Sequence, residues 1–474
     1  MKKTVLLFTL VFLLLLPLII GCAKNGKPDV SGGTHGTNDG RTLQPDLPDV
    51  RYDGMSFTVY GRSGGWSKDL FIEGAAGNTV DQEVFERNCR IEEKYGIVFI
   101  PIQSGDIDPI KTVFAQEDVY DIIVDAAQSN FRQVLNGAFV ELGNLEYLEL
   151  SNPWWNQYAS KGFTINGKIY SCMGDLVYNN LEQTYCLFFN KDLFDELGIE
   201  YPYGAVYDGS WTFDAMNTIA SKGSFDINGD TLIDTENDRY GYASELLSGP
   251  ISEFFSQGGT LTGKDSDDYP YLLLWTAHNY DLISRYVDMT KRQYSYVKIE
   301  GSGVPQSLFR DGRLLIFDAD LGSNAWLRSI DTFEYGVLPC PKYDENQKDY
   351  LTTVNAATNM VCVPITNPRF EMTGIILEAW AADSYYGVTP AFFENGLQQK
   401  GTRDDQSIDM MNIIREGSKV DFLYYIGGLN GLDNVMAQLC AGNGTDFSSY
   451  YYANYEYAEL KIDSYIDTFI KNSK

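Results

Sequence analysis

The chain has 474 residues, 44% of them hydrophobic and 14% aromatic, which suits two domains with sizeable cores better than one. Its formal net charge of −29 argues against nucleic acid as a partner, because phosphate binding needs clustered Lys and Arg. The only histidines are His35 and His278, which leaves almost no room for a multi-His zinc site or a His-based triad. The seven cysteines (22, 89, 172, 186, 340, 362 and 440) form no CxxC pair, so buried free thiols are expected.

Residues 1–21 combine a basic start, Met1-Lys-Lys3, with an apolar stretch over residues 5–20, and read as a signal peptide. The run is short for a membrane span. Its end, Ile19-Ile-Gly-Cys22, resembles the bacterial lipobox. That resemblance implies that Cys22 becomes the lipidated first residue, outside the cytoplasm and tethered to a membrane. Residues 22–50, rich in Gly, Asp, Pro and Thr without apolar periodicity, are expected to form a flexible stalk.

The folded part opens with an alternating strand over residues 56–61, followed by the turn Arg62-Ser-Gly-Gly-Trp66. A helix over 78–95 ends at Gly96. Apolar strands over 97–102 and 119–124 flank a short helix at 107–115. This alternation predicts a buried parallel sheet, whose ligands bind beyond the carboxyl ends of the strands. The adjacent Trp154 and Trp155 stand out, because neighbouring side chains point to opposite faces and one ring is expected to be exposed or to line a cleft. Burial of both at a domain junction is the competing reading.

Further on, residues 187–198 read as a strand running into a short helix, and Thr212 caps a helix entered by Trp211. Helices are expected at 304–309, 370–382, 403–414 and 455–470, with one more around Trp326; strands are expected at 313–317 and 335–339. Between them, residues 226–234 place oxygen ligands at the spacing of a loop wrapped around a hard cation. Asp226, Asn228, Asp230, the Leu232 carbonyl and Asp234 supply it, with Asp238 at the end. The loop resembles EF-hand and dockerin calcium loops, although Thr231 stands where glycine is usual and Asn237 where the bidentate acid is. A structural Ca2+ is expected there, remote from any ligand; an Asx-rich turn without metal is the alternative. No catalytic cofactor is expected.

Several motifs in this order resemble the extracellular solute-binding lipoproteins of bacterial ABC importers, in the carbohydrate-type group. They are the lipobox, Pro153-Trp-Trp-Asn156, Phe189-Asn-Lys191, Gly209-Ser-Trp-Thr212, Phe309-Arg-Asp-Gly-Arg313, Tyr335-Gly-Val-Leu-Pro-Cys-Pro-Lys342 and Arg403-Asp-Asp-Gln-Ser407 with Met410. The resemblance implies a two-lobed α/β fold of the periplasmic-binding-protein type (type II) that closes by hinge bending. Lobe 1 would hold residues 51–158 and parts of 300–474; lobe 2 would hold 159–299 and a later return. It further implies a monomer that captures a sugar, delivers it to a membrane permease and performs no chemistry. Sugar binding needs aromatic platforms and planar polar groups, and Arg62, Trp66, Trp154, Trp155, Asp175, Asp320, Trp326 and Asn355 are the candidates by type and placement. A secreted glycoside hydrolase, a polysaccharide-capture lipoprotein, and a peptide or other solute as ligand are the competing readings.

Overall fold

Apolar runs separated by capped helices assemble, among the described residues, two large sheets and two small two-stranded ones. The computed structural model describes residues 43–62, 68–72, 74, 77–103, 108–298, 301–396, 405–442 and 446–473. The signal peptide, Cys22, most of the expected stalk and Trp66 lie outside the described residues. In chain order the described strands are β1 (Met55–Gly61), β2 (Ile97–Gln103), β3 (Ile122–Ala126), β4 (Tyr185–Asn190), β5 (Tyr240–Glu245), β6 (Thr262–Lys264), β7 (Pro270–Leu272), β8 (Ser295–Lys298), β9 (Leu314–Asp320), β10 (Tyr335–Leu338), β11 (Thr352–Thr353), β12 (Asn359–Cys362) and β13 (Ser418–Lys419).

The first sheet has the order β12-β3-β1-β2, with β1 to β3 parallel and β12 antiparallel beside β3. The second has the order β10-β4-β9-β5-β8, with β5 parallel to β8 and β9, and β4 antiparallel to β9 and β10. Local chemistry sets the helix ends. Asn78 accepts from the Val80 and Asp81 N–H groups to start Thr79–Tyr95, and Gly96, at φ 62°, stops it. Asn190 starts Lys191–Leu197, and Thr212 starts Phe213–Gly223, in the same way.

Two apolar clusters form the interior, one on one face of the first sheet and one around the second sheet that also takes in Tyr60, Ile123 and Met360 of the first. Phe57, Val59, Ile97, Val124 and Trp380 are buried under the first, and Leu187, Tyr242, Ile316 and Val337 around the second. Burying each such side chain contributes roughly 1.5–3 kcal/mol. Arg87 is fully buried in the first lobe, where its guanidinium donates to the carbonyls of Asp69, Leu70 and Leu176 and to the Ser384 hydroxyl. Cys172, Cys186, Cys340 and Cys362 are buried free thiols, and Cys440 is a half-buried one. Among the described residues no helix is long and apolar enough to cross a membrane.

Two expectations shift. The stalk does not extend to residue 50: Leu47 and Val50 pack on the first core, and Leu43 exchanges backbone hydrogen bonds with the Tyr386 hydroxyl. The passage between lobes also comes later than residue 158. Cys172 bridges to Val361 of β12, so residues up to Gly174 stay with the first sheet. The chain crosses over residues 175–184 and returns over 354–359. These segments lie side by side, with the Asn180 amide donating to Thr358 Oγ1 at 2.8 Å and to the Asn359 carbonyl at 2.7 Å.

Candidate functional site

Parallel strands leave their ligand groups at their carboxyl ends. Arg62 follows β1 there. Its guanidinium donates to the Ala357 carbonyl at 2.7 Å and lies 3.5 Å from Asp125 of β3. Burial raises the Asp125 carboxyl, an effect opposed by the Ala126 N–H and then by Arg62. Asn355 stands in the return segment, and its side-chain oxygen accepts from the Ala357 N–H at 2.8 Å. Arg62 and Asn355 therefore meet through Ala357, at the base between the lobes. Their first task is to hold the crossover.

On the second sheet, Asp320 ends β9 and accepts from Ser323 N–H at 3.0 Å and Ser323 Oγ at 3.2 Å. Burial raises its carboxyl to about 6. It caps the turn Leu321–Ser323 and so aims the next residue, Asn324. Trp326 is not a free platform. One face lies against Phe317 at 6.0 Å, and the Arg310 guanidinium sits over the ring at 5.2 Å.

A cavity of about 90 Å³ opens between the start of the helix Thr79–Tyr95 on one lobe and the turn after β9 on the other. Lys68, Tyr178, Glu182, Asn324, Arg328 and Phe392 line it. Lys68 Nζ donates to Glu182 Oε1 at 2.6 Å. Tyr178 and Phe392 stand 5.8 Å apart at 35°, two rings beside a row of polar groups. Asn324 is 5% exposed, and its amide nitrogen is buried with no partner. A buried donor left unpaired costs about 1–3 kcal/mol, which a ligand acceptor there would recover. None of these six was among the expected ligand residues. Lys68, Tyr178 and Glu182 lie in short stretches without periodicity, and only their contact across the lobes marks them.

The remaining expected residues sit elsewhere. Trp154 and Trp155 are both buried, at 0% and 2% exposure, so the expectation of an exposed ring is corrected. The cause is one distant carboxylate: Glu378 accepts from Trp154 Nε1 at 2.9 Å and from Trp155 Nε1 at 2.8 Å. Asp175 is buried and forms an ion pair with Arg415 at 2.5 Å. These three line a second cavity on the other side of the crossover: Tyr178 and Glu182 face the first, and Asn180, Leu181 and Thr184 the second.

No protein-family model matches the sequence, and no curated protein matches it. Solved structures do. UspC of M. tuberculosis is similar with a TM-score of 0.59 at 12% identity, covering 87% of this chain and 100% of that one. The cyclic alpha-maltosyl-1,6-maltose binding protein of Arthrobacter globiformis reaches 0.55 at 12% identity, covering 87% and 99%. An ABC substrate-binding protein of Listeria monocytogenes, in complex with cycloalternan, reaches 0.51 at 15% identity, covering 87% and 99%. The fold is that of the ABC solute-binding proteins. In this solute-binding-protein fold, the two large sheets are the two lobes, and residues 175–184 and 354–359 are crossovers between them.

The acidic loop lies at the amino end of β5, the opposite end of that strand from the cleft. Carboxylate oxygens of Asp226, Asp230 and Asp238 come within 4.8 Å of one another. Beside them, Asn228 Oδ1 accepts from the Asp230 N–H, and Asp234 Oδ1 accepts from the Glu236 and Asn237 N–H groups. Thr231 takes φ 74°, the conformation for which glycine is usual at that position. Three carboxylates fit a hard cation.

Proposed function

We propose that the chain is the extracellular solute-binding lipoprotein of an ABC importer. It captures a carbohydrate between its lobes and delivers it unchanged to a membrane permease. The observation that carries this reading is the unpaired Asn324 amide, set beside the Tyr178 and Phe392 rings and the Lys68–Glu182 pair at the junction of the lobes. Rings take the apolar face of a sugar, and fixed amide and charged groups take its hydroxyls. Several proteins of similar fold were solved with cycloalternan, ribitol or maltotetraose, which supports a neutral polyhydroxyl ligand. The cavity of about 90 Å³ is small for an oligosaccharide, so binding of one entails opening of the lobes. Cys22 is the proposed lipid anchor, and the protein acts as a monomer outside the cytoplasm.

A thermal-shift screen of the chain from Ala23 onward, against monosaccharides, pentitols and linear and cyclic oligosaccharides, tests the ligand class. A ligand at 100 times its Kd stabilises by about 2.7 kcal/mol through mass action. We expect a dose-dependent rise in Tm with one sugar class, and recovery of that sugar intact. Cleavage of the sugar would favour a hydrolase, and silence across the panel a peptide or other solute.

The Asp226–Asp230–Asp238 cluster is proposed to hold a structural Ca2+. Millimolar Ca2+ is expected to raise Tm and EDTA to lower it, and Asp226→Asn to abolish the difference. An unchanged Tm in all three comparisons would mean an Asx-rich turn without metal.

A further inference from the structure

A cavity of about 250 Å³ lies apart from the strand-end cleft. It shares no lining residue with the cavity at Asn324. Its walls come from both sides of the hinge: Trp154 and Trp155 from the first lobe, and Arg415 and Ser418 from the segment that leads to β13.

The chemistry of the walls narrows what fits. Arg415 binds Asp175 with Nε at 3.1 Å and Nη2 at 2.5 Å, Nη2 also donates to the Pro153 carbonyl at 3.0 Å, and Nη1 has no partner among the described residues. Its charge is therefore matched, and Glu416 adds a negative one, so the cavity does not favour an anion. A cation would meet Arg415 itself, whose guanidinium already covers the Tyr385 ring at 5.0 Å. The indole N–H groups of both tryptophans are committed to Glu378 and their rings are buried, so the half-buried Tyr158 and Tyr385 bring ring surface to the space. Ser418 is 4% exposed, and its hydroxyl has no partner. Apolar ring surface, an unpaired hydroxyl and unpaired guanidinium hydrogens together suit a neutral, hydroxyl-rich molecule. The volume falls below the roughly 300–1,000 Å³ of drug-sized sites, which allows one ring and not a chain. We propose that this cavity is a second binding site, separate from the cleft, for a neutral polyol or sugar of single-ring size, held by Arg415 and Ser418 behind the crossover.

The test uses D-glucose as probe and the chain from Ala23 onward labelled with 5-fluorotryptophan. The Trp154 and Trp155 ¹⁹F resonances are assigned by single replacement with phenylalanine. Titration is expected to shift these two resonances saturably. Ser418→Ala removes one unpaired hydroxyl and is expected to weaken that response about five-fold, the value of one hydrogen bond. The five other tryptophan resonances check that its fold is unchanged. Asn324→Leu, which disables the cleft, is expected to leave the response intact. The proposal is overturned if the two resonances do not saturate, if Ser418→Ala responds like the parent, or if Asn324→Leu abolishes the response. The last result would mean that the tryptophans only report events in the cleft.

Discussion

Replacing Glu378 with alanine is expected to destabilise the protein by about 3–5 kcal/mol, the cost of leaving several buried donors without an acceptor and opening a void. Glu378 stands in the helix Phe370–Tyr386 and is 1% exposed. Burial pushes its carboxyl up, and four donors oppose that shift: Trp155 Nε1, the Asn152 amide at 2.6 Å, the Glu149 N–H at 3.2 Å and Trp154 Nε1. Alanine leaves two indole N–H groups buried without an acceptor and opens a void beside them. Glu378→Gln keeps one acceptor oxygen and is expected to lose less. Urea unfolding of the two variants measures the effect, and an alanine variant within about 1 kcal/mol of the parent would contradict the role given to Glu378. The same replacement frees both rings, so Trp fluorescence is expected to shift to the red.

Stability is also expected to fall as pH rises from about 4 to about 7. Asp318 on β9 and Glu253 in the helix Ser248–Ser256 are buried together in the second lobe, at 1% and 0% exposure. The Tyr242 hydroxyl donates to Asp318 at 2.8 Å and the Gln257 amide to Glu253 at 3.0 Å, but one oxygen of each carboxyl has no partner. Burial holds Asp318 up at about 7; burial and then the neighbouring Asp318 push Glu253 well above its ordinary value. The unfolded chain releases these protons near 4, while the native state keeps them. Across that window the native state binds more protons, so each group removes up to about 1.4 kcal/mol per pH unit as pH rises. The buried Asp69, held at about 7, acts in the same direction. Tm is therefore expected to be higher at pH 5 than at pH 8. Glu253→Gln cannot ionise and is expected to flatten the profile and to raise Tm at pH 8; an unchanged slope would show that Glu253 is already ionised in the native state.

These two networks mark the limit of what the sequence reveals. The first sheet was legible because β1 to β3 are apolar runs whose helices carry Asn78 and Gly96 at their ends. β9 was read as ending at Phe317. It continues to Asp320, because its acidic end pairs with β4 and the Tyr242 hydroxyl meets Asp318. The tandem tryptophans misled the period argument because their partner lies more than 220 positions away. The candidate site was legible only in part. Strand ends pointed to Arg62 and Asp320, which position the crossover and the turn after β9, whereas Lys68, Glu182 and Asn324 line the cavity and declare themselves only when the lobes meet.

The most direct test of the central claim is isothermal titration of the sugars that raise Tm, against the parent chain and Asn324→Leu, with the recovered sugar analysed by mass. The account predicts saturable binding of an unmodified carbohydrate, at least five-fold weaker in Asn324→Leu, where the unpaired donor is gone. Equal affinity in the variant, cleavage of the sugar, or absence of binding by every sugar tested would contradict it.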